Sequence, residues 1–552
     1  MSAVHPIPVA QSPWSPFRHT TFTVIWITTL VSNIGAWMYS SASAWLMTSL
    51  DSDPLMVSLV QVAAMLPMVL IALPAGALAD IVDKRRYLIG AETFIAVVST
   101  LFAALVWLHL IGPISLLLFI FLIEAGSAAT APAWQSVVSQ LVPRPELPAA
   151  IAMNSVGINV SRALGPALGG LITVAFGIAA SFWVNGLSNL GVIGALLRWH
   201  SAPHRDSQLP AERFVSALRT GVRHSRNNRH LRATLLRALG FFSFASCYWA
   251  LLPLVARDQV GGGPAFYGLL LGMIGASAII GVFILPWSKA TLGADRVVAA
   301  GSVGTAVALI LYGVARGPLV ALAASAVAGV CWIGVLASLN VSAQLALPEW
   351  VRGRGLAIYV MVFSGALTLG SALWGQVARI GGVPIAHFIA AAGTLLAIPL
   401  TWRWKLQTGA GIDLTPSMHW PTPVLSRHVA SDAGPVLVTV EYRIIEADRE
   451  AFLRAMDLLS HERGRDGAYA WGLFEDAAEQ GRFLETFLVE SWLEHLRQHK
   501  RVTNADRMLQ HQVHGLLKSP PTVTHLISAH GVPADPQVRA DPSEKIAGPS
   551  AP

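Results

Sequence analysis

The first four hundred residues alternate between long apolar stretches and short polar breaks. Twelve of these stretches hold about twenty residues or more, enough for a helix to cross roughly 30 Å of hydrocarbon. They lie at 20–47, 55–79, 87–109, 113–141, 149–175, 178–199, 234–256, 264–287, 295–315, 317–347, 354–379 and 382–403. This pattern predicts an all-α polytopic membrane protein with twelve transmembrane helices.

The pattern changes beyond residue 405. A proline-rich linker, 406–435, leads to alternating and amphipathic segments in the order β-α-β-β-α-β. We expect strands near 436–444, 468–475, 482–489 and 522–528, with helices near 448–463 and 491–516. This order predicts a small C-terminal α+β ferredoxin-like domain at 436–530, followed by a disordered tail at 531–552.

An internal repeat divides the apolar part. A shift of 205 residues places Pro143 on Pro348, Gly165 on Gly370 and Gly170 on Gly375. We therefore expect two six-helix bundles, 20–199 and 234–405, joined by a basic linker, 200–233, and preceded by a cytoplasmic segment, 1–19. Alternating-access transporters use such repeats around a central path.

Composition agrees with this architecture. The 552 residues are 54% hydrophobic and 12% charged, with a net charge of +7. The cations fall mostly in alternate short loops, so the positive-inside rule places both termini in the cytoplasm of a bacterial inner membrane. This location argues against nucleic-acid binding. No cleavable signal peptide is evident, because the segment through Phe17 is proline-rich and has no apolar core.

The loop between the second and third spans carries a candidate conformational switch. Its key residues are Gly76, Asp80, Asp83, Lys84, Arg85 and Arg86. An aspartate beside several cations can form contacts in one conformation and lose them in another. The loop resembles the signature of the major facilitator superfamily, with two departures: Ile81 stands where a basic residue is usual, and Asp83 where glycine is usual.

The fifth span contains a second motif. Small residues recur at four-residue spacing, which favours close packing with a neighbouring helix. Its members are Ser161, Gly165, Pro166, Gly169 and Gly170. Their spacing is similar to the antiporter signature of facilitator-superfamily exporters, although generic helix packing would also explain it.

Polar groups inside a membrane are costly and are therefore candidate sites. Glu124 and Arg162 lie in adjacent spans at similar membrane depths, so the two side chains are close enough in depth to pair. Gln135 shares a helix face with Glu124. Either this pair couples protonation to transport, or it holds two helices together. Further candidates for a cavity lining are Asn33, Trp37, Gln61, Asn154, Asn159, Asn340 and Gln344.

Several segments resemble the transmembrane secretion effector family, a branch that includes bacterial siderophore exporters. They are Ser32–Met38, Ala44–Met47, Leu59–Gln61, Leu66–Pro67, the loop through Arg86, Asn159–Gly170 and Trp350–Arg354. The resemblance implies export without naming the cargo. The C-terminal α+β domain resembles the dimeric α/β-barrel domains related to antibiotic-biosynthesis monooxygenases, which implies pairing of two chains as a homodimer.

The chain offers little for other chemistry. His495 and His499 share a helix face, and His511 and His514 follow on the next helix, but a metal site would need a third ligand that the sequence does not place. There is no phosphate-binding glycine loop for ATP. We therefore expect no cofactor, no metal and no catalytic residue.

The expected function is export of a siderophore, drug or metabolite by proton antiport. The partners would be this small-molecule substrate, protons and membrane lipid. One alternative is a membrane-tethered, monooxygenase-like enzyme or ligand sensor acting through the C-terminal domain. Uptake by symport is another.

Overall fold

The computed structural model describes residues 12–199, 214–408, 413–415, 417, 429–430 and 433–529. The start of the N-terminal segment, the first part of the basic linker, most of the 406–435 linker and the expected disordered tail lie outside these residues.

The described residues up to 408 form thirteen α-helices. They are α1 (Thr20–Leu50), α2 (Pro54–Ile81), α3 (Lys84–Trp107), α4 (Pro113–Leu141), α5 (Leu147–Phe176), α6 (Ile178–Arg198), α7 (Phe214–Asn227), α8 (Arg229–Leu254), α9 (Pro264–Leu292), α10 (Ala294–Val314), α11 (Pro318–Leu345), α12 (Arg352–Gly381) and α13 (Val383–Thr401). All except α7 lie in segments that are long and apolar enough to span a membrane, which confirms the twelve predicted spans. Helix α7 was not predicted, because it is polar and lies within the basic linker.

Local chemistry sets several helix ends. Asp53 accepts a hydrogen bond from the Leu55 amide at the start of α2, and Asp83 accepts one from the Arg86 amide at the start of α3. Several spans begin with proline, which lacks the amide hydrogen that a first helical turn would leave unpaired. An even number of spans returns the chain to its starting side. We call that the terminal side and the opposite one the far side.

The described part of the chain beyond residue 408, which we call the tail, forms a four-stranded antiparallel sheet with three α-helices. Its elements are β1 (Val436–Arg443), α14 (Arg449–Asp466), β2 (Tyr469–Glu475), β3 (Arg482–Val489), α15 (Trp492–Arg501), α16 (Asn504–His514) and β4 (Thr522–Ile527). The strand order is β2-β3-β1-β4. Val436, Val438 and Val440 alternate toward the buried face, where Phe452 and Phe487 join the same core.

The segment 491–516, where we expect helices, forms two, α15 and α16. Thr503 separates them, because its side chain and that of Asp506 form a capping box that starts α16. Described parts of the linker lie along this break. The carbonyls of Thr415 and Asp413 accept hydrogen bonds from the amides of Asn504 and Ala505 at 3.0 and 2.9 Å.

The described chain separates into two compact units. The membrane unit comprises the described residues of Met1–Phe214, Ala233–Leu345 and Leu356–Thr408. The tail unit comprises those of Val215–Arg232, Ala346–Gly355 and Gly409–Pro552. Two segments between membrane helices therefore belong to the same compact unit as the tail.

Candidate functional site

Helix α5 packs against α1 along its row of small residues. A Cβ atom added to Gly169 would lie 2.9 Å from the Met38 Cα, and one added to Gly165 would lie 3.0 Å from a carbonyl oxygen of α1. One turn away, the Ser161 hydroxyl donates to the Leu30 carbonyl at 3.3 Å. Larger side chains on this row would push two helix backbones apart.

Another face of α5 packs against α9. A Cβ on Gly170 would lie 2.7 Å from the Pro264 carbonyl oxygen, and one on Gly268 would lie 2.5 Å from the Pro166 carbonyl oxygen. Helix α9 contributes its own row of glycines, at positions 268, 272 and 275. This row was not predicted from the sequence, although its near-helical spacing is a usable signal. Helix α5 is thus held closely between one helix from each half of the chain.

Helix α12 repeats the arrangement in the second half. A Cβ on Gly370 would lie 2.5 Å from the Ser243 carbonyl oxygen of α8, and one on Gly375 would lie 3.2 Å from the Leu55 Cα of α2 and against the Ser58 side chain. The glycines that the 205-residue shift aligns therefore contact corresponding helices.

Arg162 lies on α5 beside this packing. Its guanidinium carbon is 5.5 Å from the centre of the Trp37 ring, and its Nε atom is buried without a hydrogen-bond partner. Among the described residues, no carboxylate forms an ion pair with it, including Glu124. A Cβ on Gly165 would strike the Cβ of Trp37. The glycine therefore makes room for the tryptophan on which the cation lies.

Glu124 is half-buried on α4. Its carboxylate is close enough to the buried Tyr39 hydroxyl for an electrostatic interaction. A second acidic residue inside the spans, Glu92, was missed in the sequence although the same rule on intramembrane charges would have found it. It is buried on α3 and accepts a hydrogen bond from Trp134 Nε1 at 3.0 Å. Within the first six spans, the described residues Glu92, Glu124 and Arg162 thus place both acidic and basic side chains away from the helix ends.

The loop between α2 and α3 contacts the end of α6 through Arg85. Arg85 donates from Nε to the Leu196 carbonyl at 2.9 Å and from its terminal nitrogen to the Leu197 carbonyl. These carbonyls lie at the C-terminal end of α6, where a cation interacts favourably with the helix dipole. Among the other predicted switch residues, Asp83 and Arg86 are exposed, Lys84 is half-buried and Gly76 has open space beside it. The side chain of Asp80 lies outside the described residues, as does that of Gln135.

The cavity candidates fall into two groups. Asn33, Gln61, Asn154 and Asn159 are half-buried in the first six spans. Asn340 and Gln344 are exposed near the terminal-side end of α11, where the Gln344 amide donates to Asn340 at 3.0 Å. The two groups lie in different halves of the chain.

Contacts between the two halves include several near the far side. The rings of Trp45 and Tyr267 stack with centroids 6.1 Å apart. Asp53 and Arg379 approach to 3.9 Å, close to the packing of α2 on Gly375. Together with the α5–α9 packing, these contacts join the halves at and beyond mid-membrane depth.

The tail unit has its own buried polar groups. Glu485, fully buried on β3, accepts hydrogen bonds from the Tyr442 hydroxyl at 2.8 Å, Trp471 Nε1 at 2.9 Å and Arg463 Nε at 3.2 Å. Burial, together with Glu485, raises the pKa of the Tyr442 hydroxyl well above its usual value. The carboxylate is fully partnered, which is typical of a structural network.

A group of histidines lies at another edge of the tail. His495 and His499 on α15 and His525 on β4 place ligand nitrogens within 4.8 Å of one another. Burial, with repulsion from His525 and His499, lowers the pKa of His495 to about 3. Burial and His525 lower that of His499 to about 4. Both imidazoles are therefore neutral at pH 7. The position of His525 beside them was not predicted from the sequence.

Helix α15 also contacts the other two segments of the tail unit. Glu494 pairs with Arg501 and lies 3.9 Å from Arg223 of α7. The Arg501 guanidinium lies 4.4 Å from the ring centre of Trp350, which contacts the buried His224 ring edge-on at 5.3 Å. One short helix thus touches the segments that lead into α8 and α12.

Comparison with known proteins gives the family. The family described as transmembrane secretion effector matches residues 11–532. The staphyloferrin A transporter of Staphylococcus aureus is 22% identical over 256 residues, 46% of this chain and 64% of that protein. Macrolide efflux protein A of Streptococcus pyogenes is 22% identical, over 48% of this chain and 65% of that protein. The multidrug efflux pump Tap of Mycobacterium tuberculosis is 25% identical, over 38% and 52%. The matches thus span less than two thirds of each of these relatives.

Solved structures share the fold at low sequence identity. A variant of the nucleoside transporter NupG superimposes with a TM-score of 0.60 at 10% identity, covering 70% of this chain and 99% of that one. A bacterial homologue of the human lysosomal transporter Spinster, in an inward-facing and occupied conformation, gives a TM-score of 0.56 at 12% identity, covering 72% and 97%. With twelve spans in this fold and a family match over most of its length, the chain belongs to the transmembrane secretion effector family of the major facilitator superfamily, whose members are multi-pass membrane transporters and not enzymes.

Proposed function

We propose that this protein exports a small amphipathic molecule, carrying at least one anionic or strongly accepting group, by proton antiport. The observation that carries the proposal is Arg162, a cation inside the spans that rests on Trp37 without a carboxylate partner among the described residues. A buried guanidinium without a counter-ion is costly, so a substrate that supplies acceptors there gains charge-assisted hydrogen bonds. Trp37 provides an adjacent surface for an apolar or aromatic part of the cargo.

Glu124 is the proposed proton carrier. It lies on α4 at a depth similar to that of Arg162, and no described cation forms an ion pair with it. Such a carboxyl group can take up a proton from one side and release it to the other as access alternates. Gln135, on the same helix, is proposed to assist. Protonation would accompany release of the cargo on the far side.

The direction of transport is outward. The relatives named for staphyloferrin A, macrolides and several drugs support a siderophore, drug or metabolite as cargo. We place the terminal side in the cytoplasm and the protein in a bacterial inner membrane, because the loop cations predominate on that side. The far-side contacts between the halves support an inward-facing state here, with the loop Asp80–Arg86 exchanging contacts when access reverses.

We further propose two six-helix bundles, 20–199 and 234–405, around a central path lined by the half-buried polar residues. For the tail, the strand order β2-β3-β1-β4 supports a ferredoxin-like fold. Its sheet face opposite the core exposes Phe474, Leu484 and Leu526. These apolar side chains support a homodimer formed through that face.

The test is proton release from energised inverted vesicles. Vesicles containing the protein and a pH-sensitive dye receive catecholate or carboxylate siderophores, macrolides and cationic dyes in turn. We expect proton release with at least one anionic or acceptor-rich compound, and its loss in Glu124→Gln. The matched control is Glu92→Gln, since an amide can still accept from Trp134.

Two results would contradict the proposal. Transport that remains proton-coupled in Glu124→Gln would remove that residue from the mechanism. A correctly inserted protein that moves none of the compounds, or only the cationic dyes, would overturn the assigned role of Arg162.

A further inference from the structure

We propose that His495, His499 and His525 form a binding site for a divalent transition metal ion such as Zn²⁺. The first two side chains lie one helical turn apart on α15 and therefore share a face. The third comes from β4, where it pairs in register with the buried Val438 of β1 and so points toward the helices. Three imidazoles thus converge from two elements that are about thirty residues apart in sequence.

The distances suit a tetrahedral ion. Two nitrogens that each lie about 2.0–2.1 Å from zinc are about 3.3 Å apart along the edge of a tetrahedron. The Nε2 atoms of His495 and His499 are 3.3 Å apart. All three ligand atoms lie within 4.8 Å of one another, so modest side-chain rotation would bring the third into place.

The surroundings favour a borderline metal over calcium or magnesium. Imidazole nitrogen suits zinc, copper, nickel and iron, whereas calcium and magnesium prefer oxygen ligands. His495 is buried, while His499 and His525 are half-buried, so an ion could enter from solvent and keep a water molecule as its fourth ligand. The Trp492 ring, 5.4 Å from that of His495, covers one side with an apolar surface.

A metal at this position would link β4 to α15. The same helix carries Glu494 and Arg501, which contact Arg223 and Trp350 of the two segments that lead into membrane helices. Occupancy would therefore stiffen the part of the tail that touches those segments. This consequence does not depend on which cargo is transported.

The experiment uses the full-length protein, purified in detergent with a tag that contains no histidine and stripped with a chelator. Titration with Co²⁺ reports tetrahedral coordination through intense visible absorption, and competition of Zn²⁺ with a chromophoric chelator gives affinity and stoichiometry. We expect one ion per chain and an affinity at least about 100-fold lower in His525→Gln and in His499→Gln. The control is His511→Gln, on the exposed surface of α16.

Protease resistance of the tail in metal-free buffer separates loss of a ligand from misfolding. If His525→Gln misfolds, the half-buried His499 still tests the site. Binding that weakens equally in His511→Gln, or that persists in both site variants, would overturn the proposal. The absence of a tetrahedral Co²⁺ spectrum would also do so, leaving the three side chains as a hydrogen-bonded cluster.

Discussion

Helices α5 and α12 occupy equivalent places in the two halves of the chain but differ in chemistry. Both use aligned glycines, Gly165 with Gly370 and Gly170 with Gly375, to approach helices of both halves. Arg162, in contrast, aligns with Leu367, which is buried. The packing of the two halves is duplicated, whereas the positive charge at the position of Arg162 is replaced by an apolar side chain in the second half. This difference suggests that shared geometry moves the helices and that the first half recognises the cargo and the proton.

The strongest test of the shared packing is Gly170→Leu. Its side chain would meet the backbone of α9, with the Pro264 carbonyl oxygen 2.7 Å from the added Cβ, and backbone cannot move aside locally. We expect transport to be abolished in inverted vesicles while insertion stays normal. Gly90→Leu is the matched control, because nothing lies within 4 Å of a Cβ at that position. Normal transport by the Gly170 variant would show that close α5–α9 packing is dispensable.

The next test makes α5 resemble α12 at its charged position. Arg162→Leu copies Leu367 and removes the proposed anchor for acceptor groups of the cargo. We expect transport to fall by roughly tenfold to a hundredfold, the value of one or two charge-assisted hydrogen bonds. A raised KM with a nearly unchanged maximal rate would show that the variant has lost cargo binding. Equal activity of Arg162→Leu and wild type would remove the chemical asymmetry from the mechanism.

The third test compares the neighbours of Gly375 and Gly170. Gly375 faces the Ser58 side chain as well as backbone, whereas the nearest atoms at Gly170 belong to backbone. We therefore expect Gly375→Ala to slow transport by a few-fold and the added Ser58→Gly to restore part of the rate. For Gly170→Ala, we expect no single side-chain substitution on α9 to restore the transport rate. Failure of the Ser58 rescue would mean that the Leu55 backbone limits packing instead.

The smallest effect is expected at Ser161, which aligns with Ala366. Its single hydroxyl hydrogen is shared between two acceptors, the Gly157 carbonyl at 2.9 Å and the Leu30 carbonyl of α1 at 3.3 Å. Ser161→Ala removes these bonds, worth about 1 kcal/mol in net stability, without opening a large cavity. Thermal unfolding in detergent should shift only slightly, with transport unchanged. A large loss would indicate that the hydroxyl contacts the cargo.

Periodicity predicted those features whose signal is local. The span 113–141 matches α4 to the residue, and the tail strands fall within about a residue of their observed bounds. Helix α7 was not predicted because it has few apolar positions and lies in a basic segment. The convergence of His525 with His495 and His499 depends on strand order, which decides that β4 pairs with β1, and spacing along the chain does not contain that information.

The candidate site was predictable only in part for the same reason. Glu124 and Arg162 stand out in the sequence as intramembrane charges, but depth along two helices does not tell which way each side chain points. In the structure the Arg162 guanidinium lies over the Trp37 ring. This contact requires a glycine at position 165, one turn away, because a Cβ there would strike Trp37. Rotation of helices about their axes is set by such packing.

The linker that precedes the tail has a practical consequence for work on this region. The carbonyls of Asp413 and Thr415 accept hydrogen bonds from the first two amides of α16. A fragment cut at the domain boundary expected from the sequence, residue 436, would lack both carbonyls. Such a fragment would expose these amide donors at a helix end. It would also lose Trp350, which lies between two spans and packs against the Arg501 guanidinium. Crystallisation or ligand screening of the tail is therefore better begun from a fragment that starts before Asp413, with a peptide covering 346–355 added in trans.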